Sequence, residues 1–139
     1  MCWPCFALES CGRSVQGGGL ILGLHTLIEL LDCDADRLCD VAAIRALMLA
    51  AVAEAGGTYV TDVFHHFAPH GVSGVIVIAE SHVTIHTWPE HAYAAVDVFT
   101  CGEKFQHPIF VDRMRSGLAA KGLRQQTVQR GPGVAESAS

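Results

Sequence analysis

Apolar and polar residues follow two periods along this chain, and together they predict eight secondary-structure elements. Runs that are apolar or rich in β-branched residues predict strands at 20–33, 58–66, 74–79, 82–88, 93–101 and 123–129. Apolar positions three and four residues apart predict a helix over 34–55, and a second is predicted over 108–121. The order β-α-β-β-β-β-α-β predicts an α+β fold, a two-layer α/β sandwich: a mainly antiparallel sheet, helices on one face and a β-α-β-β pseudo-repeat.

The ends of the predicted helices carry local signals. Asp34 or Asp36 is expected to cap the first helix, and Gly56-Gly57 to end it in a left-handed turn. Around this core we expect three regions: a flexible leader over 1–19, a single domain over 20–130, and a disordered tail over 131–139.

Composition excludes several classes of function. The net charge is −5 and the basic residues are scattered, so a nucleic-acid partner is not expected. No apolar run approaches eighteen residues and the start lacks a secretory signal, so we expect no membrane partner and a cytoplasmic location. Cysteines there stay mostly reduced. Cys2 and Cys5 form a Cys-x-x-Cys pair near Cys11, but the redox or zinc context that such a pair needs is not visible.

Six of the eight histidines fall between residues 65 and 91, which raises the alternative of a metal-binding protein built on histidines and cysteines. His82 and His86 have the four-residue spacing of a helical chelate. The intervening residues are β-branched and favour a strand, however, and four strand residues separate two side chains by about 13 Å. We therefore predict no metal site.

Ser81 is the residue whose position suggests covalent chemistry. Its hydroxyl can attack the carbonyl of Glu80 and convert the amide to an ester. Loss of the Ser81 α-proton, with a histidine as base, then expels the Glu80 carboxylate and leaves a dehydroalanine that hydrolyses to a pyruvoyl group. A pyruvoyl ketone can bind a substrate amine as a Schiff base and accept the electrons left by departing carbon dioxide, as pyridoxal phosphate does.

A dense set of motifs resembles the short prokaryotic S-adenosylmethionine decarboxylases. The resemblance is carried by Phe64-His65-His66-Phe67, Gly71-Val-Ser-Gly74, Glu80-Ser-His82, Ile85-His-Thr-Trp-Pro-Glu90 and Tyr93-Ala-Ala-Val-Asp-Val-Phe-Thr-Cys-Gly102. It continues more loosely upstream and covers most of residues 20–125. The implied activity is pyruvoyl-dependent decarboxylation of S-adenosylmethionine, whose product donates aminopropyl groups for spermidine and other polyamines.

The resemblance also implies roles for individual residues. The proenzyme would be cut between Glu80 and Ser81 into a β chain, 1–80, and an α chain, 81–139, that begins with a pyruvoyl. The matching positions imply that His86 takes the α-proton, Ser73 stabilises the cleavage intermediate, and Cys101 protonates the substrate carbon. For the substrate, they imply that Phe67 stacks on adenine and Glu90 binds ribose hydroxyls. The resemblance further implies at least a homodimer of processed αβ protomers, with the active site near the interface.

Three alternatives and one geometric problem stay open at this point. An arginine or ornithine decarboxylase would use the same Ser81, His86 and Cys101, so only the pocket can separate the substrates. The other two alternatives are the metal- or redox-binding protein and an inactive partner protein that has kept the fold. The problem is that strict alternation places Ser81 and His86 on opposite faces of one strand. We expect either a sharp bend at Glu80-Ser81 or a histidine that reaches in from an adjacent strand.

Overall fold

The computed structural model describes residues 21–132, so the predicted leader and nearly all of the predicted tail lie outside the described residues, as do Cys2, Cys5 and Cys11. Six strands and two helices follow in the predicted order. The strands are β1 (Gly23–Leu31), β2 (Thr58–His66), β3 (Val72–Ala79), β4 (Ser81–Trp88), β5 (Tyr93–Thr100) and β6 (Gly122–Arg130), and the helices are α1 (Val41–Glu54) and α2 (His107–Gly117). The first half reads β-α-β-β and the second β-β-α-β.

All six strands form one antiparallel sheet in the order β2-β3-β4-β5-β1-β6. Strand β1 comes first in the chain, yet it lies between β5 and β6. Both helices pack on one face of the sheet and contact each other. The predicted class, an α+β two-layer sandwich with helices on one face, is confirmed.

The core forms between the helices and the helix-facing side chains of the sheet. Ile44, Met48, Ala51 and Val52 of α1 recur at three- and four-residue spacing and are buried. They meet alternate residues of the central strands, such as Ile76, Val83 and Val98, which are fully buried. Burial of this apolar stripe holds the helices on the sheet.

Two predicted helix boundaries are wrong. Residues 34–40 do not belong to α1: Ala35–Leu38 form a short 3₁₀ helix, and the Asp40 carboxylate accepts the Ala43 N–H at 3.0 Å and caps α1. Asp34 caps the 3₁₀ helix instead. At the other end of the chain, α2 stops at Gly117 rather than Lys121, because Ala119 turns the chain with a φ of 52°. The predicted end of α1 is confirmed, since Gly56 has a φ of +85°.

Candidate functional site

The β3–β4 hairpin places Ser81 at the tip of two paired strands. Ile78 pairs with Ser81, so the chain reverses through Ala79 and Glu80. This is the sharp bend that the sequence predicts. Ser81 Oγ donates a hydrogen bond to the Glu80 carbonyl oxygen at 2.5 Å, and the Cys101 N–H donates to Ser81 Oγ at 3.2 Å. The structure therefore brings Glu80, Ser81 and Cys101 together.

A cleft of about 180 Å³ opens beside this tip. Its lining includes Gly57, Ile78, Glu80, Ser81, Thr100 and Lys104. It lies where the β3–β4 hairpin meets the turn after α1 and the loop after β5. The Ser81 hydroxyl thus has open space on one side, which a reacting serine needs.

Ser73 and His86 form a second group on neighbouring strands. They are direct cross-strand partners on β3 and β4, and Ser73 Oγ lies 2.7 Å from His86 Nδ1. His65 of β2 pairs with Ser73 on the other side. Phe67 follows β2 and is 49% exposed, and its ring contacts His65 edge-on with centroids 4.6 Å apart. Glu90 lies in a short 3₁₀ helix directly after β4 and is exposed.

The loop that carries Phe67 into this group is held by a tight turn. The Phe67 N–H donates to the Gly71 carbonyl at 2.9 Å. Gly71 has a φ of +96°, and a Cβ there would come within 2.8 Å of the Thr87 carbonyl oxygen, so only glycine fits. Glycine at position 71 therefore keeps β3 in register beside Thr87 and Trp88.

These two groups do not meet within one chain. Val83, Ile85 and Thr87 of β4 face the helices, while His82, Thr84, His86 and Trp88 face the other way, as strand alternation predicts. Ser81 belongs to the helix-facing set. His86 is five residues farther along β4, about 16 Å away. Phe67, Ser73, His86 and Glu90 also do not line the cleft beside Ser81. The expected contact between Ser81 and His86 is absent from the described residues of the chain.

The sheet face away from the helices carries His86 and is uncovered in the described part of the chain. It exposes apolar side chains along its strands: Val63 (67%), Val77 (39%), Trp88 (38%) and Val128 (37%). Trp88 stacks on Tyr93 with ring centroids 5.3 Å apart, and the Tyr93 hydroxyl donates to the Glu29 carboxylate. Burial and this carboxylate raise the pKa of Tyr93 to about 12, so the phenol stays protonated.

The described cysteines differ in their surroundings. Cys33 is buried in the core, and burial together with nearby Asp32 raises the pKa of its thiol to about 11. Cys101 is half-buried and follows β5 directly beside Ser81. Of these two, only Cys101 is placed to exchange a proton at the hairpin tip.

Over residues 21–132, no three His, Cys, Asp or Glu side chains are grouped to hold a metal ion. In the same range, no helix has the length and apolar content that a membrane crossing requires.

Sequence reasoning missed one set of polar residues next to the site. His107 contacts Thr100 and Thr26, which lie 7 and 81 positions away in the chain. The sequence signal was slight: a histidine before Pro108, at the start of a predicted helix.

Fold and site together define the class of this protein: a two-layer α+β protein in which a serine at a hairpin tip donates a hydrogen bond to the carbonyl of the residue before it. The family described as S-adenosylmethionine decarboxylase matches residues 24–131. The chain belongs to that family, and the predicted membership is confirmed.

Curated relatives and a solved structure agree with this assignment. An S-adenosylmethionine decarboxylase proenzyme of Thermotoga petrophila is 46% identical over 110 residues, which is 79% of this chain and 85% of the relative. One of Bacillus cytotoxicus is 44% identical over 115 residues, 83% and 88% of the two chains. The crystal structure of the adenosylmethionine decarboxylase from Aquifex aeolicus is similar with a TM-score of 0.76 and 39% identity, covering 86% of this chain and 98% of that one.

Proposed function

We propose that this chain is a self-cleaving, pyruvoyl-dependent decarboxylase that acts on S-adenosylmethionine. The observation that carries the proposal is the contact of the Ser81 hydroxyl with the carbonyl oxygen of Glu80, 2.5 Å away at a hairpin tip. The cleaved bond is Glu80–Ser81, and the products are residues 1–80 and 81–139.

The cleavage uses only groups of the protein and water. Ser81 Oγ attacks the Glu80 carbonyl carbon, the C–N bond breaks, and Glu80 becomes esterified to the serine oxygen. A base then removes the Ser81 α-proton, and the C–O electrons leave with the Glu80 carboxylate. Residue 81 is now a dehydroalanine, which gains water and loses ammonia to become the pyruvoyl. We assign the base to His86, with Ser73 at 2.7 Å to orient its ring and stabilise the intermediate.

The residues at the hairpin tip fit a pyruvoyl at position 81. The position begins β4, beside an open cleft, and has a backbone N–H of Cys101 directed at it. When formed, the pyruvoyl ketone supplies an electron sink for decarboxylation of an amine-bearing substrate. We assign Cys101 as the donor of the proton that replaces carbon dioxide on the substrate α-carbon.

We propose that two copies of the chain complete the site. Ser81 and His86 of one chain are on opposite faces of β4 and about 16 Å apart, so the base must come from elsewhere. The uncovered sheet face offers exposed Val63, Val77 and Trp88 for burial against a second copy. We propose that such a homodimer places Ser73 and His86 of each copy beside the Glu80–Ser81 turn at the end of the other copy's β3–β4 hairpin.

Phe67 and Glu90 support the nucleoside substrate over the amino-acid alternatives. Phe67 presents an exposed aromatic ring, which suits stacking on adenine. Glu90 presents an exposed carboxylate, which suits the two ribose hydroxyls. Adenosine can engage both groups at once, through its ring and its ribose. The product would be the aminopropyl donor for spermidine synthesis, and we place the reaction in the cytoplasm.

Intact mass spectrometry of the purified protein tests self-cleavage. We expect two fragments, 1–80 and 81–139, with the smaller one shifted by phenylhydrazine because its first residue is a ketone. Ser81→Ala is the matched control and should stay as one 139-residue chain. A wild-type chain that stays uncut would sink the proposal and favour the inactive partner protein.

Substrate identity needs a separate assay. The cleaved protein is incubated with carboxyl-labelled S-adenosylmethionine, arginine and ornithine in turn, and released carbon dioxide is counted. We expect release from S-adenosylmethionine alone. Phe67→Ala and Glu90→Gln should raise KM more than they lower kcat, because both groups would bind the substrate far from the reacting carbon.

A further inference from the structure

A partly buried hydrogen-bond cluster lies under the N-terminus of α2. His107 Nδ1 is 2.9 Å from Thr26 Oγ1, and His107 Nε2 is 2.8 Å from Thr100 Oγ1. Thr26 Oγ1 is also 3.0 Å from Thr127 Oγ1. The cluster therefore ties β1, β5 and β6 to the first residue of α2.

The burial of these hydroxyls indicates that the cluster is specifically arranged. Thr26 and Thr100 are 2% and 3% exposed, and they are two of only three buried polar residues in the described range. A hydroxyl in such a position destabilises the fold unless it is hydrogen-bonded. A single imidazole provides a partner for both.

The imidazole is suited to this position in its neutral form. Burial lowers the pKa of His107 below its ordinary value of 6.5. A neutral ring donates from one nitrogen and accepts at the other, and a threonine hydroxyl can match either. The Phe105 ring contacts the imidazole edge-on at 5.4 Å and restricts its rotation.

The cluster ends at Thr100, one residue before the amide that contacts the cleavage-site serine. Thr100 is the last residue of β5, and the N–H of the next residue, Cys101, donates to Ser81 Oγ at 3.2 Å. That bond occupies one lone pair of the serine oxygen while its proton points to the Glu80 carbonyl. The position of the 100–101 peptide therefore determines how the nucleophilic oxygen is oriented.

We propose that His107 is a positioning residue for the Glu80–Ser81 cleavage: it holds Thr100, and so fixes the Cys101 amide that orients Ser81 Oγ. This inference rests on the proposed self-cleavage. His107 touches neither reacting atom and acts only through Thr100.

The test compares variants of nearly equal shape in a time course of cleavage. Thr100→Val removes the hydroxyl and keeps the side-chain volume. His107→Asn places an amide where Nδ1 was and keeps only the Thr26 contact, while His107→Gln reaches the Nε2 position and keeps the Thr100 contact. Met114→Ala, in the fully buried face of α2, is the control for a general loss of stability. Freshly translated chains are sampled by intact mass at a temperature where all variants are folded.

We expect Thr100→Val and His107→Asn to cleave about ten- to a hundredfold more slowly, because a small displacement of a reacting group has effects of that size. The cleavage rate of His107→Gln should stay within about threefold of the wild-type rate. The cleavage rate of Met114→Ala should equal the wild-type rate. Thr100→Val cleaving as fast as Met114→Ala would overturn the inference and leave the proposed function intact. A wild-type chain that never cleaves would overturn both.

Discussion

At the scale of single residues, three threonines show how this fold treats a buried hydroxyl. Thr26, Thr87 and Thr100 are the buried polar residues of the described range. Two serve His107. Thr87 instead accepts the Val72 N–H and donates to the Leu38 carbonyl, both at 2.8 Å. It thereby ties the start of β3 to the 3₁₀ helix before α1, and removing its hydroxyl leaves two buried backbone groups unpaired.

Thr87→Val should lower the free energy of unfolding by about 1–3 kcal/mol, the cost of leaving buried polar groups without a partner. Urea denaturation of the uncut Ser81→Ala chain measures it. Thr61→Val is the control, since Thr61 is exposed on β2 and the same change there should stay within about 0.5 kcal/mol. Equal effects at the two positions would contradict the assigned role of Thr87.

The lowered pKa of His107 predicts a specific loss of stability in weak acid. Above its ordinary pKa of 6.5 the imidazole is neutral in both states and contributes no pH dependence. As the pH falls below 6.5, the unfolded chain binds the proton first, so unfolding becomes more favourable until the lower folded pKa is passed. His107→Gln removes this contribution.

Urea denaturation of Ser81→Ala chains between about pH 7.5 and pH 5 checks this prediction. The other seven histidines are present in both proteins, so the difference between the two dependences of the unfolding free energy on pH isolates His107. The free energy of unfolding should change less with pH in the His107→Gln chain than in the chain that keeps His107. Parallel curves would show that His107 is not held neutral.

At the scale of elements, the packing of β2 on β3 depends on a missing side chain. Phe64 and Gly74 are cross-strand partners, and a Cβ on Gly74 would come within 2.2 Å of the Phe64 ring. The ring lies directly over the glycine and packs against the core. This contact holds the edge strand β2 against β3, the strand that carries Ser73.

Gly74→Ala should lower the free energy of unfolding by about 1–3 kcal/mol through overpacking. With Phe64→Leu already present, the same change should cost clearly less, because no ring occupies the space. A double-mutant cycle by urea denaturation of the uncut chain measures the coupling. Additive effects would mean that the ring is not the obstacle.

Most elements could be predicted because local pattern and tertiary structure agree. The strand predicted at 58–66 has the observed bounds of β2, and alternation in β4 predicts both faces correctly. The start of α1 could not be predicted. Asp34 and Asp36 are the predicted caps, and only packing of Leu38 into the core shows that a short 3₁₀ helix comes first and that Asp40 caps α1.

The sequence names candidates for the site but does not give their arrangement. Ser73, Ser81, His86 and Cys101 follow from chemistry and motif, and alternation already separates Ser81 from His86. Which residues come together depends on strand register. Ser73 meets His86 because β3 and β4 pair through a tight hairpin, and Thr26 meets His107 across 81 positions. Such long-range contacts leave no periodic trace in a sequence.

At the scale of the whole molecule, the proposed homodimer makes each chain supply a different half of a site. Mixing two defective chains tests this directly. Ser81→Ala lacks the nucleophile but keeps Ser73 and His86, and His86→Ala lacks the base but keeps Ser81. A dimer of one copy of each contains one complete site.

Co-expression in equal amounts should therefore cut about half of the His86→Ala chains, because random pairing gives each a complementary partner half of the time. Intact mass distinguishes the two chains and their fragments. Either variant alone should stay uncut. A mixture that also stays uncut would contradict a site shared between copies, and a His86→Ala chain that is cut alone would remove His86 as the base.

The position of β1 between β5 and β6 has a consequence for the cut protein. In the proposed cleavage, β1 would fall in fragment 1–80 and both of its neighbours in fragment 81–139, so strands of the two fragments would alternate at this end of the sheet. Neither can leave without breaking the sheet, and the mature enzyme should survive dilution that would separate ordinary subunits. Once melted, however, it can re-form only when two chains collide, so its melting temperature should depend on concentration. Maturation would thus turn a chain that can refold alone into an assembly that can refold only by association of two chains.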